Sequence, residues 1–181
     1  MIKSIRILFI FVGFLGLVSN SFAAHVTMRV SIQLPMKSHL GQNLLLFKND
    51  VEKKSNGEIE VQIYDSAQLY KDKEVPAAVG SGSIESGVAS LTRYVGDIPA
   101  VDLFYQPFLL NSEEKVRKAV AKGSSIRGPI DKAIEGTGST VLWWQAYGSA
   151  IMLSKGKAIK NPSDMKGKKV RVFGKTLGAF V

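Results

Sequence analysis

Apolar and polar positions alternate from Val26 to Ile32, placing Val26, Met28, Val30 and Ile32 on one face of a predicted strand that Pro35 ends. The period then lengthens. Leu40, Leu44, Phe47 and Val51 recur at four, three and four, the spacing of a helix stripe, with Ser38 as its N-cap and Asn56-Gly57 as its stop. Glu58 to Tyr64 returns to period two, with Ile59, Val61 and Ile63 on one face. A helix is expected from about Asp72 to Val79, with Pro76 tolerated in its first turn, and Gly80-Ser81-Gly82-Ser83 breaks the chain. Gly87 to Leu91 reads as a short buried strand, and Val101 to Leu110 as an apolar stretch interrupted by Pro107. Asn111-Ser112-Glu113-Glu114 opens another helix with acids in its first turn, and a further helix is expected over Pro129 to Glu135.

Three more strands are predicted beyond that helix: Thr140 to Gln145, Ile151 to Leu153 and Lys168 to Phe173. Between the last two, Asn161-Pro162-Ser163-Asp164 opens a turn or two of helix that Gly167 stops. Strands alternating with helices argue for an α/β fold with a largely parallel or mixed sheet. The core of the first unit is expected from Leu40, Leu44, Phe47, Ile59, Val61 and Val141.

The N-terminal residues belong to a different pattern. Lys3 and Arg6 precede twelve apolar or glycine residues, Ile7 to Val18, and Ser21-Phe22-Ala23 supplies a small-residue exit. Such a run suits an export signal and falls short of the roughly 20 residues of a spanning helix. Residues 1–23 are therefore assigned to a cleaved signal peptide. Its removal lowers the formal net charge from +9 to +7.

The chain contains no cysteine, which excludes disulfide scaffolds, zinc ribbons and catalytic thiols. Its two histidines, His25 and His39, have no second ligand at metal-binding spacing. Gly174-Lys175-Thr176 lacks the earlier glycine of a phosphate loop, since Lys169 stands there, and no dinucleotide spacing exists. Neither Ser90 nor Ser149 sits in a nucleophile motif. No cofactor, metal or catalytic group is expected, and the reading is of a binding protein and not an enzyme. Export also argues against nucleic acid as the partner of the positive charge.

Two concentrations of residues invite a binding role. On the Lys168–Phe173 strand, alternation sets Lys169, Arg171 and Phe173 on one face and Val170 and Val172 on the other. An arginine there can present its planar fork to a carboxylate, while the structural alternative is a solvated strand edge. The second is Trp143-Trp144 with Tyr147 and Tyr105; adjacent tryptophans face opposite sides, so at most one can line a given cleft while the other is core, the alternative being ordinary core aromatics.

The order of segments resembles the solute-binding proteins of tripartite ATP-independent periplasmic (TRAP) transporters, the C4-dicarboxylate-binding family. The residues that carry it are the Val26–Gln33 strand, the Glu52–Glu58 turn, Tyr64 to Leu69, Val88 to Leu91, Gln106-Pro107-Phe108-Leu109 and, most specifically, Pro162 to Val172. The resemblance implies a periplasmic solute-binding-protein fold of two α/β lobes around a cleft, a small organic acid as ligand, and a membrane permease as partner. It assigns Arg171 to the ligand carboxylate, with Gln33, Ser90, Arg93 and Tyr147 as further contacts and a monomer as the expected state. Ile151 stands where several members carry a second arginine, so a second carboxylate clamp is not implied. Family members are longer, and the chain is read as an N-terminal fragment, with one nearly complete lobe over 24–147 and the start of a second over 148–181. A sensor or another transporter's receptor on the same fold is the alternative. The export reading predicts that protein recovered after secretion begins at Ala24 by mass spectrometry; an intact Met1 would overturn it.

Overall fold

A computed structural model describes residues 25–181, and the assigned signal segment lies outside the described residues. Three parallel strands form the sheet, in the order β2-β1-β3. They are β1 (Val26–Ile32), β2 (Ile59–Tyr64) and β3 (Ser86–Val88). The register pairs Val26 with Ile59 on one side and Val30 with Ser86 on the other. The α/β reading and the first two strand assignments hold, while β3 is shorter than Gly87–Leu91 and only half-buried.

Helix α1 (His39–Lys54) joins β1 to β2. It starts where predicted: the Ser38 hydroxyl accepts the Gly41 N–H at 3.1 Å, satisfying one free donor of the first turn. Its stripe packs on the sheet, so that Leu40 and Leu44 are buried with Val30, Ile32 and Val61 while Phe47, Val51 and Ile59 close around them. Asn56 and Gly57 adopt left-handed backbone to turn the chain into β2.

On the other side of the sheet, α2 (Val75–Gly80) precedes β3. It begins three residues later than Asp72, which is left in the preceding loop. Its Val75 lies so near Gly87 that a Cβ there would come within 2.5 Å of the valine. Glycine at 87 is what lets α2 sit on β3. A salt bridge ties the same region together: Glu85 accepts from the Arg29 backbone N–H at 2.9 Å and from its guanidinium at 2.7 and 2.8 Å. The Arg29 hydrogen bond pulls the Glu85 carboxyl down to about 2.

Beyond β3 the chain makes two 3₁₀ segments (Leu91–Tyr94 and Pro99–Tyr105), then α3 (Glu113–Val120) and α4 (Arg127–Glu135). The first half of the predicted apolar stretch, Val101 to Tyr105, is thus 3₁₀ and ends before Pro107. Tyr94, Ile98 and Val101, all buried, meet Ile130 and Ile134 of α4 in a second core. Val141 belongs to this second cluster and not, as predicted, to the first.

The three late strands do not form. Residues 140–145, 151–153 and 168–173 have no ladder partner among the described residues and adopt no regular structure. A strand is defined by its neighbour, and β-propensity without one does not suffice. Residues 143–147 are nonetheless ordered by side chains along α1. Trp143 stacks on Phe47 at 4.9 Å, Gln145 accepts from Asn43 at 2.6 Å, and Tyr147 meets the His39 ring edge-on at 6.2 Å. The match is geometric: two residues of extended chain advance roughly 6.6 Å and four of helix roughly 6 Å, so contacts repeat in step.

Trp144 points the other way, as alternation required. Its indole N–H donates to Asp131 at 2.7 Å, its ring meets Phe104 at 5.2 Å, and the Arg127 guanidinium lies 5.3 Å from its centre. Asp131 also accepts from Arg127 at 2.9 Å. The predicted helical turn at Pro162–Met165 is present as 3₁₀ with an Asn161–Asp164 capping box, and α5 (Lys175–Phe180) follows.

Two outcomes follow from these contacts. Because Glu85 titrates lower in the folded chain than in the unfolded one, its contribution is complete above the ordinary carboxylate range and fades as pH falls towards 2. Glu85→Gln should therefore lower the melting temperature at pH 7, and the gap from wild type should close by pH 2; a gap constant with pH would refute the pair's role. Asp131→Ala should be costlier, since it strands the Arg127 guanidinium, whose side chain is 10% exposed. Urea denaturation should show a loss of about 3–5 kcal/mol, with Trp144 emission shifted to the red.

Candidate functional site

In a parallel sheet every crossover returns the chain to the same side, so the loops after all strands collect at one edge, where α/β proteins place their ligands. Here that edge carries Gln33 after β1, Asp72 in the loop after β2, and Ser90 and Arg93 after β3. The structure joins all four. The Asp72 carboxylate accepts the Ser90 backbone N–H at 2.8 Å through one oxygen and Arg93 Nε at 2.5 Å through the other. The Asp72 N–H donates to Gln33 Oε1 at 3.1 Å. Asp72 is buried, 5% exposed, whereas the Arg93 side chain remains a third exposed at the rim.

That geometry divides the arginine's work. Nε is spent on Asp72, which fixes the plane of the guanidinium, and the Nη nitrogens have no partner among the described residues. Paired Nη donors on a pre-set plane suit an oxygen-bearing ligand. Tyr105 lies beside the cluster, its hydroxyl accepting the Thr92 N–H at 3.2 Å and its titration pushed up chiefly by burial.

Three of the predicted site residues, Gln33, Ser90 and Arg93, are thus brought together. Ser90 enters through its backbone. Tyr147 and Arg171 are not drawn into this cluster. Tyr147 is largely exposed at the start of α1, and Arg171 is exposed with its guanidinium 4.7 Å from the ring of Phe173. That stacking agrees with the shared face predicted for Arg171 and Phe173, although no strand carries them.

Sequence reading missed Asp72. The helix expected from about Asp72 to Val79 takes it as a helical residue and gives it no other task. The signal against that was Pro76, whose preference for the first turn moves the helix start to Val75 and frees Asp72 for another task.

Two shallow grooves, of ≈ 450 and ≈ 500 Å³, lie along the outer edge of β2 and beneath Pro99–Gln106. Neither is lined by Gln33, Asp72, Ser90, Arg93 or Arg171. Convergent polar groups, and not concavity, mark the site.

Comparison with known proteins shows the family to which the chain belongs. The family model for bacterial extracellular solute-binding protein, family 7, matches residues 30–180. A solute-binding protein of Verminephrobacter eiseniae is 30% identical over 155 residues, covering 83% of this chain and 44% of that protein. The C4-dicarboxylate-binding periplasmic protein DctP of Rhodobacter capsulatus is 31% identical over 136 residues, covering 73% of this chain and 39% of its own length. The chain therefore spans less than half the length of these curated relatives. Among solved structures, a TRAP periplasmic solute-binding protein of Chromohalobacter salexigens with bound D-glucuronate superposes with a TM-score of 0.73 at 22% identity, over 80% of this chain and 48% of that one. The fold is shared, and with the match over residues 30–180 this chain belongs to the family 7 bacterial extracellular solute-binding proteins.

Proposed function

We propose that this chain contributes to a receptor, working outside the cytoplasmic membrane, that captures a small organic acid in a cleft and hands it to a permease of the TRAP type. The observation that carries the reading is Arg93, oriented by buried Asp72 at the ligand edge of the parallel sheet with its Nη donors unspent. Residues 24–147 form the first lobe, and residues 148–181 begin the opposing wall.

In this reading Arg171 takes the ligand carboxylate. It is exposed, carries its charge next to an aromatic face and makes no ion pair among the described residues. Gln33, Ser90 and Arg93 bind the remainder of the ligand from the other side, and Tyr147 sits where one wall passes into the next. Capture requires no bond to be broken, in keeping with a family of receptors. The periplasm is the compartment this requires, and it is the one named for the Rhodobacter capsulatus relative.

Titration of the chain with D-glucuronate, followed by nuclear magnetic resonance, tests the reading. The Ser90 amide and the Arg93 and Arg171 Nε–H signals should shift together, even if affinity is only near 1 mM, about −4 kcal/mol. Arg171→Lys keeps the charge but removes the fork, and should weaken binding by roughly twofold to fivefold, the worth of a well-hydrated ion pair. Saturable shifts that spare both arginines would overturn the assignment.

A further inference from the structure

The two arginines of the proposed site are in unequal electrical states. Arg93 is matched by Asp72 at 2.5 Å, and the carboxylate side chain is only 6% exposed, so the pair brings no net charge to the ligand edge. Arg171 is unmatched among the described residues; its near neighbour is the Phe173 ring. We propose that Asp72 determines specificity, restricting the chain to acids with one carboxylate and an uncharged, hydroxylated remainder, at the expense of dicarboxylates. This inference rests on the reading that Arg93 and Arg171 face one ligand.

Each polar group at the edge has a definite remainder of hydrogen-bonding capacity to give. Arg93 offers Nη donors, and Gln33, whose Oε1 already accepts the Asp72 N–H, offers its amide donors. Hydroxyl or carbonyl oxygens satisfy such donors without bringing charge. A second carboxylate would approach Arg93 and the Asp72 charge together, and like charges held close cost heavily when water is excluded. The Ser90 N–H that might have offset the added charge is already given to Asp72 at 2.8 Å. Lys71 and Lys73 flank Asp72 in sequence, but both are exposed, so water and salt screen them. The selective element is therefore the carboxylate behind the arginine, acting through its charge.

Two four-carbon acids separate the possibilities: succinate, with two carboxylates, and D-erythronate, with one carboxylate and three hydroxyls. Binding of each to the chain is followed through the Ser90 amide and Arg93 Nε–H signals. Wild type should bind erythronate roughly tenfold more tightly than succinate, less than a fully desolvated like-charge contact would give because Arg93 is a third exposed. Asp72→Asn leaves Arg93 unmatched and should reverse the order, while Asp72→Asn with Arg93→Gln restores neutrality and should restore the preference for erythronate. A loss of packing alone would weaken both acids alike and reverse nothing. Should Asp72→Asn fail to fold, the wild-type ratio still decides, and Arg93→Gln, which leaves Asp72 uncompensated, should widen the preference. Equal or tighter binding of succinate by wild type, or an unchanged order in folded Asp72→Asn, would overturn the inference while leaving the site intact. If neither acid moves Ser90 or Arg93, it is the site assignment itself that fails, and this inference with it.

Discussion

A carboxylate removed from water must be compensated or it unfolds the region around it, and Asp72 is compensated by groups from the loops that end the strands. Ser90 and Arg93 reach it from beyond β3, and its own N–H reaches Gln33 beyond β1. The constraint acts in both directions. Without these loops Asp72 could not stay buried, and without Asp72 the Ser90 amide and the Arg93 guanidinium would lose their fixed positions. The contacts that bring the loops within reach are apolar: α1 against the sheet on one side, and α2 against Gly87 on the other.

The β2 edge of the sheet is handled by the same helix that supplies the core. Val61, in the middle of β2, turns its N–H and C=O away from β1. Glu52 accepts the former at 2.9 Å and Lys48 donates to the latter at 2.6 Å. The two α1 side chains also bond each other at 2.6 Å, and Lys48 with the Val61 N–H holds the Glu52 carboxyl below its usual range. An ion pair thus stands in for a neighbouring strand, which blunts the edge against pairing with another chain. Residues 143–147 show the complementary case, an extended segment whose order comes from side chains on a helix and not from a ladder.

Much of the first lobe was legible because its signals are local. The Ser38 and Ser112 caps, the α1 stripe, the period-two runs of β1 and β2, and the opposed tryptophans each depend on residues within one or two turns. The predictions that failed depended on partners distant in sequence. Thr140–Gln145 and Lys168–Phe173 have the composition of strands, but composition does not provide a neighbour to pair with. Asp72 failed for a related reason. Its role lies in contacts 18 and 21 residues away, to Ser90 and Arg93; Pro76 moves the helix start past it, but no local signal names those partners.

The distinction between bulk charge and paired charge bears on how such a chain would select a ligand. A formal charge of +9, or +7 without Lys3 and Arg6, favours the approach of any anion and so discriminates little. Some of the surface charge is also held in exposed pairs within helices, such as Lys54 with Asp50 and Lys118 with Glu114, which are screened and of small energetic consequence. Discrimination requires charges held at fixed distance where water is scarce. Asp72 with Arg93 meets that condition: one partner is buried and the other lies at the rim. The nearly buried Arg127–Asp131 pair meets it too, but its remaining hydrogen bonds go to the Val120 carbonyl and the Trp144 indole, leaving it to hold residues 140–147 in place. The Asp72–Arg93 pair lies instead at the sheet's C-terminal edge, the side on which α/β folds take up ligands, and its Nη donors have no partner among the described residues.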